Sequence, residues 1–351
     1  TGKHHALINQ NNKKDKTMIN FKKIGLTALT GSLVAFSANA VEFGVAGGVE
    51  LTLTDTGGNR GSEVTGNQFG ANSALTFSAS GDVGFGTVSA TRALLDSAGV
   101  SGGISTSHQS LDMGDMGTLS FDGKGGALVG LTANDDVLPT AYEEMWTGVG
   151  SGDGIGGVGS TNVIGYQNTF SGVTVSAGYS NGIGATTTAE SGASGAGADG
   201  SKRDLYISSS VIDGITVGAG IGQSTAGNNN TTDADTEELV AHVVYSSGPI
   251  SAGLRMGATD GGAEGTASTE IMGYSVAFNV NENFAISYGI QEVEKVALGA
   301  TAAVTEKVTG ISAAYTIGAA SIRFHRSEAD NAAYVKGTDD EHMELGVVLA
   351  F

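Results

Sequence analysis

Hydrophobic and polar residues alternate with a period of two along most of the chain after residue 40. The stretch that ends the chain has apolar residues at Met343, Leu345, Val347, Leu349 and Phe351. Similar alternation occupies residues 41–53, 250–257 and 284–291. A period of two is the pattern of a β-strand whose two faces meet different surroundings. The runs are roughly ten residues long, which is the length that a tilted strand needs to cross a bilayer.

The spacing of the turns separates a membrane barrel from a soluble β-sandwich, which also alternates. Turn-forming dipeptides occur seven times, at Gly81-Asp82, Gly114-Asp115, Ser171-Gly172, Asp213-Gly214, Gly248-Pro249, Asn281-Glu282 and Gly318-Ala319. Long segments rich in Gly, Ser, Thr, Asn and Asp lie between them, such as 183–200, 225–235, 258–268 and 328–340. Short turns at one end and long loops at the other are typical of outer-membrane barrels. Seven hairpins and one strand at each end predict an all-β, closed antiparallel barrel of sixteen strands.

Composition supports this fold class. Charged residues make up 15% of the chain, below the roughly 25% of an ordinary soluble domain. No segment after residue 40 approaches the roughly 18 consecutive apolar residues of a transmembrane helix. The chain therefore matches neither an ordinary soluble domain nor a helical membrane protein. A membrane β-barrel explains both observations, because each of its strands shows lipid on one side and water on the other.

The first forty residues are predicted to lie outside the barrel. Residues 1–17 precede Met18 and are interpreted as an upstream extension that is not native. Residues 18–40 have the order of a secretory signal peptide: Lys22 and Lys23, an apolar run, and Ala38-Asn39-Ala40. The alternative, a buried core helix, does not explain this order. The barrel domain is then 41–351, and the mature chain begins at Val41.

The mature chain is strongly acidic. Residues 1–40 hold 6 of the 17 basic and 1 of the 36 acidic residues, so 11 basic and 35 acidic residues remain, a net charge of −24. This charge excludes nucleic acid as a partner. It suits a surface that holds divalent cations or repels anions.

One interval between turns is too long for a hairpin loop. The turns at 114 and 171 are 57 residues apart, whereas the other intervals are 33–42 residues. The extra chain, Gly123–Ser160, carries apolar residues that need a packed wall, Trp146 among them, and the barrel lumen is the space available. Its carboxylates are predicted to line the pore constriction: Asp135, Asp136, Glu143 and Glu144.

Four stretches together resemble a general porin of Gram-negative bacteria, of the alphaproteobacterial kind. They are VEFGVAGGVELTL from Val41, GDMGTLSF from Gly114, NVIGYQNTFSGVTVSAGYS from Asn162, and ELGVVLAF, which ends at Phe351. The resemblance implies a sixteen-stranded homotrimeric barrel in the outer membrane, with a third extracellular loop folded inward. It implies passive diffusion of ions and small hydrophilic solutes. Phe351 resembles the signal that the outer-membrane assembly machinery reads.

Three arginines are predicted to form a basic wall of the pore. By alternation, Arg255 and Arg323 face away from apolar neighbours, and Arg92 does so if its strand keeps register with Phe85. An Arg on the lipid face near the midplane costs about 2–4 kcal/mol, so the lumen is the cheaper place. The resemblance to general porins implies that such arginines act together with an acidic inserted loop to filter small polar solutes. The alternative is that each Arg simply pairs with a neighbouring carboxylate. The carboxylates predict modest cation selectivity.

Motifs that suggest other functions are weaker. Gly99-Val100-Ser101-Gly102-Gly103 matches G-x-S-x-G but is predicted to lie in a Gly/Ser loop, and no convergent catalytic set is visible, so an enzyme is not expected. Asp233 and Asp235 either share a divalent cation with lipopolysaccharide phosphate or form a solvated loop; no other cofactor is expected. Outer-membrane lipid is the surrounding partner. A secreted Gly/Asn-rich adhesin or surface-layer protein remains the alternative function.

Overall fold

The computed structural model describes most of the chain after residue 40. The described residues are 41–59, 68–97, 100–125, 129–134, 136–149, 155–159, 161–181, 187–188, 192–193, 199–226, 235–261, 268–296 and 302–351. The predicted upstream extension, 1–17, and the predicted signal peptide, 18–40, lie outside them.

Sixteen strands form one closed barrel, as predicted. In chain order they are β1 Glu42–Gly58, β2 Phe69–Asp82, β3 Thr87–Ser97, β4 Val100–Asp112, β5 Thr118–Lys124, β6 Val163–Phe170, β7 Val173–Ser180, β8 Asp199–Ile212, β9 Ile215–Ala226, β10 Thr236–Ser247, β11 Ile250–Asp260, β12 Ser268–Asn281, β13 Phe284–Val296, β14 Val304–Ile317, β15 Ala320–Asp330 and β16 Asp339–Ala350. Each strand pairs antiparallel with its neighbours in the chain, and β1 pairs with β16. Closure leaves no unpaired edge.

The seven predicted turns all lie at one end of the barrel, at or next to the short connections between strands; Gly81-Asp82 ends β2, and Asn281 ends β12. At the other end, the connections are longer, with one exception. Residues 98–99 alone separate β3 from β4. The G-x-S-x-G sequence therefore runs into β4 at Val100, which corrects the prediction that it lies in a loop.

The two faces of the barrel differ as the alternation predicts. Large apolar side chains point outward and are exposed, for example Met256 at 50% and Tyr274 at 42%. The alternate positions point inward and carry many small or polar side chains, such as Ser275 and Ser287, together with buried apolar ones, such as Val240 and Val293. Among the described residues, no helix has the length and hydropathy of a membrane-spanning helix.

The seam between first and last strands continues to the final residue. The backbone N–H of Phe351 donates to the carbonyl of Gly47 at 2.8 Å, and Gly47 donates back at 2.9 Å. The ring of Phe351 lies directly over Gly47, where any Cβ would collide with it. The last residue therefore completes the seam.

Candidate functional site

The long connection between β5 and β6, residues 125–162, is called the inserted segment below, and its described residues contact inward-facing side chains of the barrel wall. Its apolar side chains are buried, with Leu131 at 0%, Val129 at 2% and Met145 at 2% exposure. Trp146 packs on a cluster that includes Val308 of β14. Burial of these side chains against the wall stabilises the segment, because apolar surface leaves water.

Inward-facing glycines make room for the segment. A Cβ on Gly310 of β14 would lie 2.5 Å from Cα of Met145, and a Cβ on Gly253 of β11 would lie 2.7 Å from Pro139. A Cβ on Gly220 of β9 would likewise collide with the side chain of Leu131. A glycine inside a strand often marks such a close approach of another backbone.

Inward-facing serines bind the backbone of the segment where it crosses β12 to β15. Oγ of Ser275 donates to the carbonyl of Pro139 at 2.7 Å, and Oγ of Ser312 donates to that of Glu143 at 3.0 Å. Ser287 accepts from the N–H of Ala141, and Ser327 donates to the carbonyl of Thr147. These bonds satisfy backbone groups that packing removes from water.

Two wall carboxylates anchor the two ends of the segment. Asp204 of β8, 7% exposed, accepts from the backbone N–H of Leu131 at 3.1 Å and of Val158 at 2.9 Å. Glu238 of β10 accepts from the N–H of Gly156 at 3.0 Å and of Gly157 at 2.7 Å. Hydrogen bonds to an ionised acceptor are stronger than neutral ones, so these carboxylates hold both arms of the segment.

The predicted acidic residues of the constriction are placed as follows. Asp135 lies outside the described residues, and Asp136 is exposed. Glu143 and Glu144 are half-buried, and Oε2 of Glu143 accepts from the hydroxyl of Thr147 at 3.1 Å. Burial raises the pKa of the Glu143 carboxyl; Thr147 opposes the rise, and the charge of Glu144 adds to it.

A polar cluster that the sequence did not reveal adjoins Glu143. The hydroxyl of Tyr142 donates to Glu344 of β16 at 2.8 Å, and burial raises the pKa of this hydroxyl. The guanidinium of Arg323 lies over the Tyr142 ring, 5.1 Å from its centre, and 3.9 Å from a carboxylate oxygen of Glu50. Three carboxylates and one arginine therefore meet at this part of the wall.

The three predicted basic-wall residues have different positions. Arg323 faces inward beside Glu50. Arg255 also lies on the inward face, since its neighbours Leu254 and Met256 are exposed outside, but it is 0% exposed. Its side chain is therefore covered and does not reach the surface of the lumen.

Arg92 faces outward, which corrects its prediction as a lumen residue. In the pairing it lies beside Phe77 of β2 and Ser107 of β4, on the face that carries the exposed Leu94. The prediction took its register from Phe85, which lies in the turn before β3. The alternation of inward and outward residues starts again at Thr87, the first residue of β3. The even-numbered residues of β3, Arg92 among them, therefore face outward.

Histidine side chains have close partners at two places on the inner wall. The rings of His325 and His342 are 6.2 Å apart beneath the inserted segment. Nδ1 of His108 lies 2.6 Å from the buried Asp122 on the opposite wall. Among the residues that the structure describes, no three His, Cys, Asp or Glu could hold a metal ion together. Asp235 is exposed, and Asp233 lies outside the described residues.

Comparisons with known proteins support the fold. Neither a protein-family model nor a curated protein sequence matches the chain. Solved structures do match it. A loop-deletion mutant of OmpT, an outer-membrane protein of Vibrio cholerae, has a TM-score of 0.66 at 14% identity and covers 89% of this chain and 100% of its own. OmpF of Salmonella typhi, in complex with daunomycin, has a TM-score of 0.65 at 12% identity, with 89% and 98% covered. The anion-selective porin of Comamonas acidovorans has a TM-score of 0.62 at 13% identity, with 89% and 100% covered.

Proposed function

We propose that the protein is an outer-membrane porin, a passive channel for ions and small hydrophilic solutes. The observation that carries this proposal is the closed sixteen-stranded barrel, with apolar side chains outside and polar side chains inside. Such a wall suits lipid on one surface and water on the other. The similar structures of outer-membrane proteins support the same function and location. The alphaproteobacterial type rests on the sequence motifs.

The proposal includes a constriction made by the inserted segment. Its hydrogen bonds to β12–β15 support a fixed position against the wall, from which it narrows the lumen. Glu143 and Glu144 lie where the segment crosses β14, next to the cluster of Glu50 and Glu344. Carboxylates in a confined space are poorly screened and attract cations more than they do at an open surface.

The positions of the arginines favour cations. Arg255 is covered, Arg92 points outward, and Arg323 is partly balanced by Glu50. The sign does not come from the fold, since one of the similar structures is an anion-selective porin. It comes from these side chains, and the channel is proposed to be modestly cation-selective.

Arg92 supports a homotrimer. It is the sixth of the eleven residues of β3 and exposed on the outward face, where lipid near the midplane would cost about 2–4 kcal/mol. On the same side, β5, β6 and β7 have only 7, 8 and 8 residues, fewer than the roughly 9–11 that span a bilayer. A neighbouring subunit that covers this side would keep lipid away from Arg92 and from the short strands β5–β7.

Other partners follow from the location. Outer-membrane lipid surrounds the apolar face, and lipopolysaccharide contacts the outer end. A divalent cation between lipopolysaccharide phosphate and the loop of Asp233 and Asp235 belongs to the proposal.

Phe351 is proposed as the assembly signal, and its place in the seam supports this role. Its deletion should lower trimer yield while leaving secretion intact, and normal yield would contradict the role.

Two simple experiments test the function. The protein, reconstituted in a planar bilayer, should give stepwise, ohmic conductance in KCl. In mild detergent it should migrate as a high-mass band that collapses to monomer mass on boiling. A secreted adhesin or surface-layer protein, which the closed barrel does not favour, would show neither behaviour. Absence of conductance from folded protein would contradict the porin function.

A further inference from the structure

The inner wall at strands β4 to β6 carries a second polar site, beside the inserted segment. We propose that this site is a binding subsite for a small, uncharged polyhydroxylated solute, a sugar or a polyol, during its passage. The proposal rests on the channel function proposed above, because a solute reaches an inward-facing site only through the lumen.

The site is a cavity of about 500 Å³ between the turn that joins β4 to β5 and Val129 of the inserted segment. Ser110, Ser120 and Gln167 line it from three neighbouring strands. Ser110 pairs with Ser120, and the flanking Leu119 is exposed outside, so these hydroxyl groups are on the inward face. The volume is within the roughly 300–1,000 Å³ of small-molecule sites.

Three polar side chains that line this site have no hydrogen-bond partner among the described residues. The side chains of Ser110 and Gln167 make no hydrogen bond to another described residue, and the buried Oγ of Ser120 has none either. By contrast, Ser275 and Ser312 under the inserted segment each bind its backbone. A buried polar group such as the hydroxyl of Ser120, a residue that is 7% exposed, normally has a partner, and here a solute can supply it.

His108 adds an oriented nitrogen to the same cavity. Its Nδ1 lies 2.6 Å from Oδ1 of Asp122, which is 0% exposed. A carboxylate that engages one ring nitrogen fixes the orientation of the imidazole. The other nitrogen, Nε2, is then available for a hydrogen bond to a solute.

The chemistry of the lining selects the class of solute. None of the described residues that line the cavity is Lys or Arg, so nothing there compensates an anion. Of the two nearby carboxylates, Asp122 is engaged by His108 and Asp115 lies exposed at the turn. Hydroxyl and amide groups both donate and accept hydrogen bonds, as do the hydroxyl groups of a sugar.

Solute-dependent block of the ion current tests the subsite. Sorbitol and glucose should reduce the KCl current in a saturable way, beyond the effect of a poly(ethylene glycol) of similar size. Block should begin faster from the short-turn end, because the cavity lies beside the turn that joins β4 to β5. Ser110→Ala/Gln167→Leu should raise the half-blocking concentration roughly ten-fold, as the loss of two hydrogen bonds implies.

A matched control removes two hydroxyl groups from another part of the inner wall. Ser78→Ala/Thr76→Val, on β2, should leave the block unchanged. If the test variant fails to assemble, Gln167→Asn withdraws the amide by one methylene and should weaken the block. A conducting parent without saturable block, or block that neither variant of the cavity alters, overturns the subsite alone. A parent without current contradicts the channel function instead.

Discussion

The described residues of the inserted segment lie along the inner face of β8–β16 and reach the inner face of β1–β6 only at β6, where Val129 packs. On the covered half, the space above Gly310 and Gly253 is filled by the segment. On the other half, the space above Gly70 of β2 is filled by the hydroxyl of Thr52, 2.5 Å from the place of a Cβ. The two halves therefore differ in the free space above the backbone. They also differ in polarity, since the covered half has buried apolar wall residues such as Val240 and Val293, whereas Val163 is the one buried apolar residue among the described residues of β1–β6.

The outer faces of the two halves differ as well. Exposed apolar side chains cover the outside of β11 and β12, including Leu254, Met256 and Met272. The outside of β3 is interrupted by Arg92. The half that holds the segment is therefore suited to lipid on its outer surface, whereas the other half is suited to a protein neighbour.

Removal of the Asp204 anchor should have the largest effect. Asp204→Ala leaves the N–H groups of Leu131 and Val158 buried without an acceptor, at a cost of about 1–3 kcal/mol each. The melting temperature should fall, and the single-channel current should become noisier as the segment moves. Asp204→Asn keeps an acceptor oxygen and should be affected less. Equal behaviour of the two variants would show that Asp204 does not anchor the segment.

A side chain at Gly310 should have the next largest effect. Gly310→Ala places a methyl group against the backbone of Met145, and overpacking of this kind costs about 1–3 kcal/mol. The displaced segment should change the conductance. Gly103→Ala of β4, whose Cβ would meet nothing within 4 Å, is the matched control. Unaltered conductance in Gly310→Ala, with normal stability, would contradict the close packing.

The outer faces can be compared by quenching of tryptophan fluorescence with brominated lipid. In a Trp146→Phe background, Met256→Trp should be strongly quenched, because position 256 faces lipid. Arg92→Trp should be quenched weakly, because a neighbouring subunit covers it in the proposed trimer. Similar quenching at the two positions would place Arg92 against lipid and remove this support for the trimer.

A smaller effect is expected from pH. Because burial raises the pKa of Glu143, this carboxylate takes up a proton at a higher pH than an exposed one, whose pKa is about 4.3. As the pH falls, the cation preference should therefore begin to decline before the exposed carboxylates titrate. Reversal potentials over a pH series measure this. Glu143→Gln should lose the early step, and its persistence in that variant would assign it to another group.

The strands could be predicted from the sequence, but part of the candidate site could not. Two-residue turns and a period of two are local signals, so the sixteen strands followed directly. The position of Arg92 was wrong because the turn at Phe85 reset the alternation, which a count of residues does not reveal. Asp204 and Glu238 were missed because their partners are backbone groups far along the chain. Inward glycines on several strands, such as Gly220 of β9 and Gly253 of β11, were the available signal.

The carboxylates of the inserted segment are proposed to set the ion preference of the channel, and the reversal potential in a KCl gradient decides whether they do. Glu143→Gln/Glu144→Gln should shift the potential towards zero. Glu328→Gln/Glu341→Gln removes the same charge from exposed side chains of β15 and β16, beside Arg326, and should leave the potential unchanged. An unaltered potential in the first variant, or equal shifts in both, would contradict the claim, because net charge or another group would then determine the preference.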